Sequence, residues 1–384
     1  MENYSSIYVL ESNSNSRELL QAYIKDFDSN YNVKLYSDFE IGANDISQDN
    51  TNPIIIIDLD VEEIFIESLV EKIKPFTAKI IATSKDCSTD KIIRALRLGV
   101  CDFISKPILK EDLYKSLEKI SKQTICENTS SSKIITIYSN KGGIGKTTIA
   151  TNLAYELANI TRDKVALIDL NLQLGDVSTF LNLNPTFDVA YVINNLINKK
   201  PETLLNAFEK LENTKLYVLS DPNFIEQSES IKPQQINNLF ETLKKVFTYI
   251  VIDMSSNIDE NALKILDNSD FIFFTTIINI PAIRNAQRCL NLFESRNYSK
   301  EKVKIIINRY MENDELSIQD IETTLGEKIY WKIPNNYFSI MEAINKGVPV
   351  ANINSSSNIS NSFKDLAQKV SDEIIKNTLL EYRG

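Results

Sequence analysis

No histidine occurs among these 384 residues. The commonest general base and metal ligand is therefore missing, and with it most hydrolase triads. Any chemistry falls to lysine, carboxylate, hydroxyl and a bound cation. Cysteine is sparse: Cys87, Cys101, Cys126 and Cys289 are scattered without paired spacing. That pattern indicates neither a disulfide framework nor a zinc site, and it fits a reduced cytoplasm. No apolar run approaches the roughly 18 residues a membrane helix needs. The first six residues lack the basic start and longer apolar core of a secretion signal. A net charge of −10 works against broad attraction to nucleic acid. The richest basic stretch holds Arg284, Arg288, Arg296, Lys300, Lys302 and Lys304 against Glu294 and Glu301. It reads as a solvated helix face and its loop, with a local basic patch as the alternative.

Glycine is scarce too, yet three of the nine fall within four residues, in Ser139-Asn140-Lys141-Gly142-Gly143-Ile144-Gly145-Lys146-Thr147-Thr148. The apolar run 133–138 before it reads as a strand, and 147–157 after it reads as a helix. A strand, a glycine loop ending in Gly-Lys-Thr and a helix form a phosphate cradle. Glycines let consecutive backbone N–H groups turn toward one anion, and the helix N-terminus adds partial positive charge. Lys146 then reaches the β- and γ-phosphates, and the Thr147 hydroxyl holds Mg²⁺. The run Phe247-Thr248-Tyr249-Ile250-Val251-Ile252-Asp253 is an apolar strand ending in an acid, about a hundred residues past the cradle. Asp253 is placed to hold Mg²⁺ through water.

The early lysine narrows the class. The loop resembles the deviant Walker A motif of the MinD/ParA family of ATPases, so Asn140 through Thr148 are expected to bind ATP. In that family the residue matching Lys141 crosses a dimer interface to the partner's ATP, which implies an ATP-dependent homodimer. The run 166–173 resembles the family's first switch, where the usual pattern is Asp-x-Asp. Asp169 is present as a magnesium-site acid, but Asn171 replaces the acid that positions the attacking water. The resemblance therefore implies good binding and slow turnover. Asn308-Arg309 resembles the family's adenine-contacting pair, and Pro334 matches the loop closing over the other side of the base.

A polar Ser/Thr-rich segment, 123–132, reads as a linker between residues 1–122 and 133–384. On both sides strands alternate with helical patterns, which predicts an α/β protein of two doubly wound parallel sheets. Before the linker, strands are expected near 6–10, 33–36, 54–58, 80–83 and 102–104. Helices are expected near 16–27, 64–73, 89–98 and 110–122. Five strands in this rhythm suggest a flavodoxin-like sheet, whose ligands sit at the strands' carboxyl ends. Residues 5–122 look like a response-regulator receiver domain, with Asp58 at the phosphoacceptor position and Thr83 and Lys106 at the switch positions. Receivers usually carry two acids after the first strand, and here the pair is Glu11-Ser12. The domain is thus a weakened phospho-receiver or a docking module with a residual acid.

After the linker, further strands are expected at 165–168, 216–219, 249–252, 271–275 and 304–307. The stretch 362–382 places Phe363, Leu366, Val370, Ile374 and Leu380 at helical spacing. Its polar face carries acids as well as lysines, so it reads as a core-packing helix and not a membrane-surface one.

A receiver-like half joined to a MinD-like ATPase resembles the CpaE/TadZ family of type IVb (Flp/Tad) pilus secretion systems. That resemblance implies a cytoplasmic localisation factor, recruited to the membrane's inner face or a cell pole, that engages pilus secretion proteins and not nucleic acid. The alternatives are a phosphorylation-controlled regulator and a division-site or DNA-partition ATPase.

Overall fold

The computed structural model describes residues 6–49, 53–61, 79–88, 91–92, 94–95, 100–122, 132–161, 163–197, 199 and 201–381. The chain divides into two compact units, one of residues 1–129 and 379–384, the other of 130–378. The expected helix at 64–73, most of that at 89–98 and nearly all of the linker lie outside the described residues.

The first unit is a five-stranded parallel sheet ordered β2-β1-β3-β4-β5. Its strands are β1 (Ser6–Leu10), β2 (Asn32–Tyr36), β3 (Ile54–Asp58), β4 (Lys79–Ser84) and β5 (Asp102–Ser105). The three central strands β1, β3 and β4 are mostly apolar and buried on both faces, whereas the edge strands β2 and β5 are partly exposed. Alternate residues feed opposite cores. Tyr8, Leu10, Ile55 and Ile57 join helix α2 (Phe39–Ser47) on one side. Ile7, Val9, Ile54 and Ile56 join α1 (Ser14–Phe27) and α3 (Lys110–Lys122) on the other. The pattern of apolar runs did not signal α2. It is short and contains Gly42, where a Cβ would lie 2.3 Å from Leu10 Cδ2 and force that side chain to shift.

The second unit carries eight strands ordered β13-β12-β11-β6-β10-β7-β9-β8. They are β6 (Lys133–Tyr138), β7 (Val165–Leu170), β8 (Glu209–Lys210), β9 (Leu216–Leu219), β10 (Tyr249–Met254), β11 (Phe271–Thr276), β12 (Val303–Tyr310) and β13 (Ile329–Pro334). This corrects the expectation of a wholly parallel sheet: β8 runs antiparallel to β9 and makes the sheet mixed. Two residues show no periodicity, so β8 left no trace in the sequence pattern.

The sheet's two faces are again sorted by alternation. Ile250 and Ile252 of β10 face a core shared with α5 (Pro233–Leu243), α6 (Glu260–Asn268) and α7 (Ile280–Ser295). Tyr249 and Val251 face α4 (Lys146–Thr161) and the C-terminal α10 (Asn358–Glu381). In sequence α8 (Ile318–Leu325) and α9 (Tyr337–Lys346) come between α7 and α10, with Ile321 and Leu325 in the first core and Ala343 in the second. Phe363, Leu366, Val370 and Ile374 of α10 are all buried. Each such side chain contributes about 1.5–3 kcal/mol by leaving water, so this helix belongs to the core. The side chain of Leu380 lies outside the described residues. Cys101 is disulfide-bonded, contrary to the reading of the cysteine spacing; separation in sequence does not limit approach in space.

Candidate nucleotide site

The glycine loop leaves β6 in the middle of the sheet and enters α4. Gly143 (φ 72) and Gly145 (φ 94) both adopt left-handed backbone, the conformation that makes glycine the default residue. At Gly145 space is also decisive, because a Cβ would come within 2.5 Å of Asn308 Nδ2.

Other elements hold the loop in shape. Asn308, buried at the end of β12, donates from Nδ2 to the Ile144 carbonyl at 2.6 Å. Its Oδ1 accepts from the Arg309 N–H at 2.9 Å. Arg309, a non-glycine residue at φ 56, donates to the Gly143 carbonyl at 2.9 Å. The Asn140 amide ties the loop to α7 by donating to the Asn285 carbonyl at 2.8 Å. Pro334 closes β13 opposite Tyr310, and the Asn335 N–H donates to the Tyr310 carbonyl at 2.9 Å. The pair expected to read adenine thus spends much of its hydrogen bonding on the phosphate loop.

Thr147 donates from Oγ1 to Asp253 Oδ2 at 2.5 Å. Asp253 Oδ1 is buried and has no hydrogen-bond partner among the described residues. A hydroxyl and a buried carboxylate with an unsatisfied oxygen form the hard-oxygen set that Mg²⁺ prefers, so the site fits that ion. Burial pushes the Asp253 carboxyl up to about 6, against the Thr147 hydrogen bond and the Lys146 charge. Asp169 pairs in register with Asp253 on the neighbouring strand. Burial first, and then the Asp253 charge, hold the Asp169 carboxyl well above its ordinary range. Lys146 donates from Nζ to Ser256 Oγ at 2.8 Å, and burial lowers its pKa. A cation and two acids whose charges are costly alone make a site ready for a compensating polyanion and metal.

The segment after β7 wraps around Asp169. Its two oxygens accept from the N–H groups of Asn171 at 3.0 Å and Val177 at 3.1 Å. The Asn171 side-chain amide donates to the Leu174 carbonyl within its own loop. Gly175 N–H donates to Asp221 Oδ2 at 3.0 Å. The Lys141 backbone N–H donates to Ser139 Oγ at 3.2 Å, and its ammonium has no ion-pair partner among the described residues. Gly142 and Thr148 complete the loop and the first turn of α4. Sequence reasoning missed Ser256, Asp221 and Asn285. Asp221 alone left a signal, since it closely follows the apolar strand β9 as Asp253 closes β10.

The first unit gathers its own polar cluster at the strands' carboxyl ends. Lys106 Nζ lies 2.6 Å from Asp58, 2.8 Å from Glu11 and 3.5 Å from Asp60. Ser12 Oγ donates to Asp58 Oδ2 at 3.2 Å. Thr83 is buried and turns its hydroxyl to the Ile57 carbonyl at 3.4 Å. Burial raises the Glu11 carboxyl despite the Lys106 hydrogen bond. Burial works against the Lys106 charge, but Asp58 and Glu11 outweigh it and raise the lysine's pKa. Asp58 and Lys106 thus meet directly, joined by Asp60, which the sequence reading did not single out, while the Thr83 hydroxyl is turned to the backbone.

Three of the six cations of the basic stretch 284–304 are ion-paired. Arg296 meets Asp267 at 2.9 Å, Lys300 meets Glu327 at 2.7 Å and Lys304 meets Glu373 at 2.6 Å. No helix among the described residues is long and apolar enough to cross a membrane.

Residues 132–305 match the family described as an AAA domain. The septum site-determining protein MinD of Thermotoga maritima is 32% identical over 247 residues, covering 62% of this chain and 88% of that protein. A solved ParA family ATPase from Chlorobium tepidum shares the fold, with a TM-score of 0.59 at 23% identity over 62% of this chain and 98% of that one. MinD of Pyrococcus horikoshii, solved with Mg-ADP, gives 0.54 at 22% identity over 62% and 96%. More than a third of this chain lies outside each of these likenesses.

Proposed function

This chain belongs to the MinD/ParA family of ATPases, and on that premise we propose that it is an Mg·ATP-dependent dimeric switch that positions a larger assembly in the cell. The observation that carries the proposal is the Thr147–Asp253 pair beside Lys146 at the mouth of the glycine loop. Lys146 would exchange Ser256 for the β- and γ-phosphates, and Thr147, Asp253 and Asp169 would hold the metal. Bound there, Mg²⁺ supplies charge neutralisation of the phosphates. Backbone N–H groups of residues 142–148 fix the triphosphate, and Asn308, Arg309 and Pro334 bound the base side.

Turnover is slow in this account. Asn171 is an amide that cannot accept the proton of an attacking water, and its side chain is engaged with Leu174. ATP therefore acts as a state marker, with Lys141 reaching the phosphates of a second copy. Among roles, division-site or partition ATPase is the reading the septum-site relatives favour. A second reading, positioning of a type IVb pilus apparatus at a membrane or pole, rests on the unit ordered 2-1-3-4-5 that precedes the ATPase. In that reading Asp58 is either an inefficient phosphoacceptor or part of a docking module.

Sedimentation of the full chain with saturating Mg·ATP tests the switch. A dimer is expected, and Lys141→Ala should weaken it while each monomer still binds nucleotide. A wild-type protein that stays monomeric at micromolar concentration overturns the proposal.

A further inference from the structure

Gly347 caps the C-terminus of α9 at φ 63, in left-handed backbone. It has no room for a side chain. A Cβ there would meet Asn182 at 2.4 Å from Cβ, 2.9 Å from N and 3.0 Å from Cα. Asn182 is itself left-handed, at φ 48, an uncommon conformation for a residue with a Cβ. It follows the short helical turn Val177–Phe180, to which its N–H is tied through the Thr179 carbonyl at 3.2 Å.

The other end of that turn reaches the metal site. The Val177 N–H holds Asp169 Oδ2 at 3.1 Å, and Val177 and Leu181 are buried in the core. Just before it, Gly175 is as crowded as Gly347: a Cβ would lie 2.3 Å from Asp169 Oδ2 and 2.5 Å from Asp221 Cγ. The segment from Asn171 to Asn182 is therefore fixed at one end by Asp169 and seated at the other on Gly347. Within such close packing a displacement at the seat is passed on to the atoms in contact with it.

We propose that Gly347, by seating Asn182, is a positioning residue for Asp169, so that the helix following Pro334 on the base side sets the carboxylate on the metal side. The inference rests on the reading of this cleft as an Mg²⁺-nucleotide site. It assigns Gly347 a role beyond ending a helix. Gly326 supplies the internal control: it caps α8 at φ 71, with nothing within 4 Å of its would-be Cβ. Alanine at Gly326 measures left-handed strain alone, whereas alanine at Gly347 adds displacement of Asn182.

The test is ATP affinity of the full chain by calorimetry, with Mg²⁺ and with EDTA, in wild type, Gly326→Ala, Gly347→Ala and Gly347→Ala/Asn182→Gly. A hydrogen bond to a charged group carries enough energy that losing the Val177–Asp169 contact should cut the gain from Mg²⁺ about tenfold in Gly347→Ala. Its metal-free affinity should stay at the Gly326→Ala level, and Gly326→Ala should keep the wild-type gain. Asn182→Gly removes the nearest obstructing atom and suits positive φ but leaves the backbone N at 2.9 Å, so the double variant should recover part of the gain. Equal gains in the two single variants overturn the proposal. So does a double variant no better than Gly347→Ala, in binding or, should Gly347→Ala not fold, in folding. A wild-type protein that gains nothing from Mg²⁺ overturns the nucleotide reading itself.

Discussion

Asn308→Ala separates two roles that one side chain could fill. As a reader of adenine, Asn308 would matter to the base; as a clasp on the glycine loop, it matters to the phosphates. Its Nδ2 sits 2.6 Å from the Ile144 carbonyl and its Oδ1 accepts the Arg309 N–H at 2.9 Å. Truncation leaves both backbone groups unpaired at a site where Asn308 is only 8% exposed. A buried polar group stripped of its partner costs about 1–3 kcal/mol. Some of that appears as lost fold stability and the remainder as a loop no longer preorganised for phosphate. At about 1.4 kcal/mol per tenfold, triphosphate affinity should fall by up to roughly a hundredfold. The fall should be parallel for ATP and GTP, because both of these hydrogen bonds join Asn308 to backbone groups. Calorimetric titration of both nucleotides, with thermal unfolding alongside, reads the two parts. Loss of ATP-over-GTP preference at unchanged GTP affinity would refute the clasp.

Two other predictions concern buried charge. Glu156 on α4 is 7% exposed, and burial lifts its carboxyl from 4.5 to about 6, against the charge of Lys364. The folded state then holds the proton more tightly than the unfolded chain, so this group costs stability as pH rises from about 4.5 through about 6 and by a constant amount above. Glu156→Gln should stabilise by about 1–2 kcal/mol at pH 7.5, allowing for solvent screening, and by almost nothing at pH 4, in urea unfolding at the two pH values. In the first unit, Lys106→Met removes the cation between Glu11 and Asp58, which are 1% and 2% exposed at the side chain. Stranding those carboxylates should cost about 3–5 kcal/mol, and adding Asp58→Asn to it should restore part of the loss.

The strands near the site were readable because each is a short apolar run ended by a polar residue, as Ile250-Val251-Ile252 is ended by Asp253. The glycine loop was readable because its glycines suit the left-handed backbone that Gly143 and Gly145 adopt between a strand and a helix. Elements that depend on distant partners left less trace. Strand β13 ends in Pro334 and reads as loop; an edge position tolerates that proline, which need not donate to a neighbour. Ser256 and Asn285 act only because the fold sets them beside Lys146 and Asn140, and no local pattern marks them. Asn308 shows the limit most clearly. Its position after a strand was legible, but its carbonyl partner is 164 residues away in sequence.

The proposed switch requires that the second unit bind Mg·ATP through residues 142–148, with Lys146 as the closest cation. Titration of Mg·ATP into wild type and Lys146→Ala tests it most directly. The wild type should bind saturably, and the variant should bind far more weakly or not at all. Equal affinity in the two proteins would contradict it.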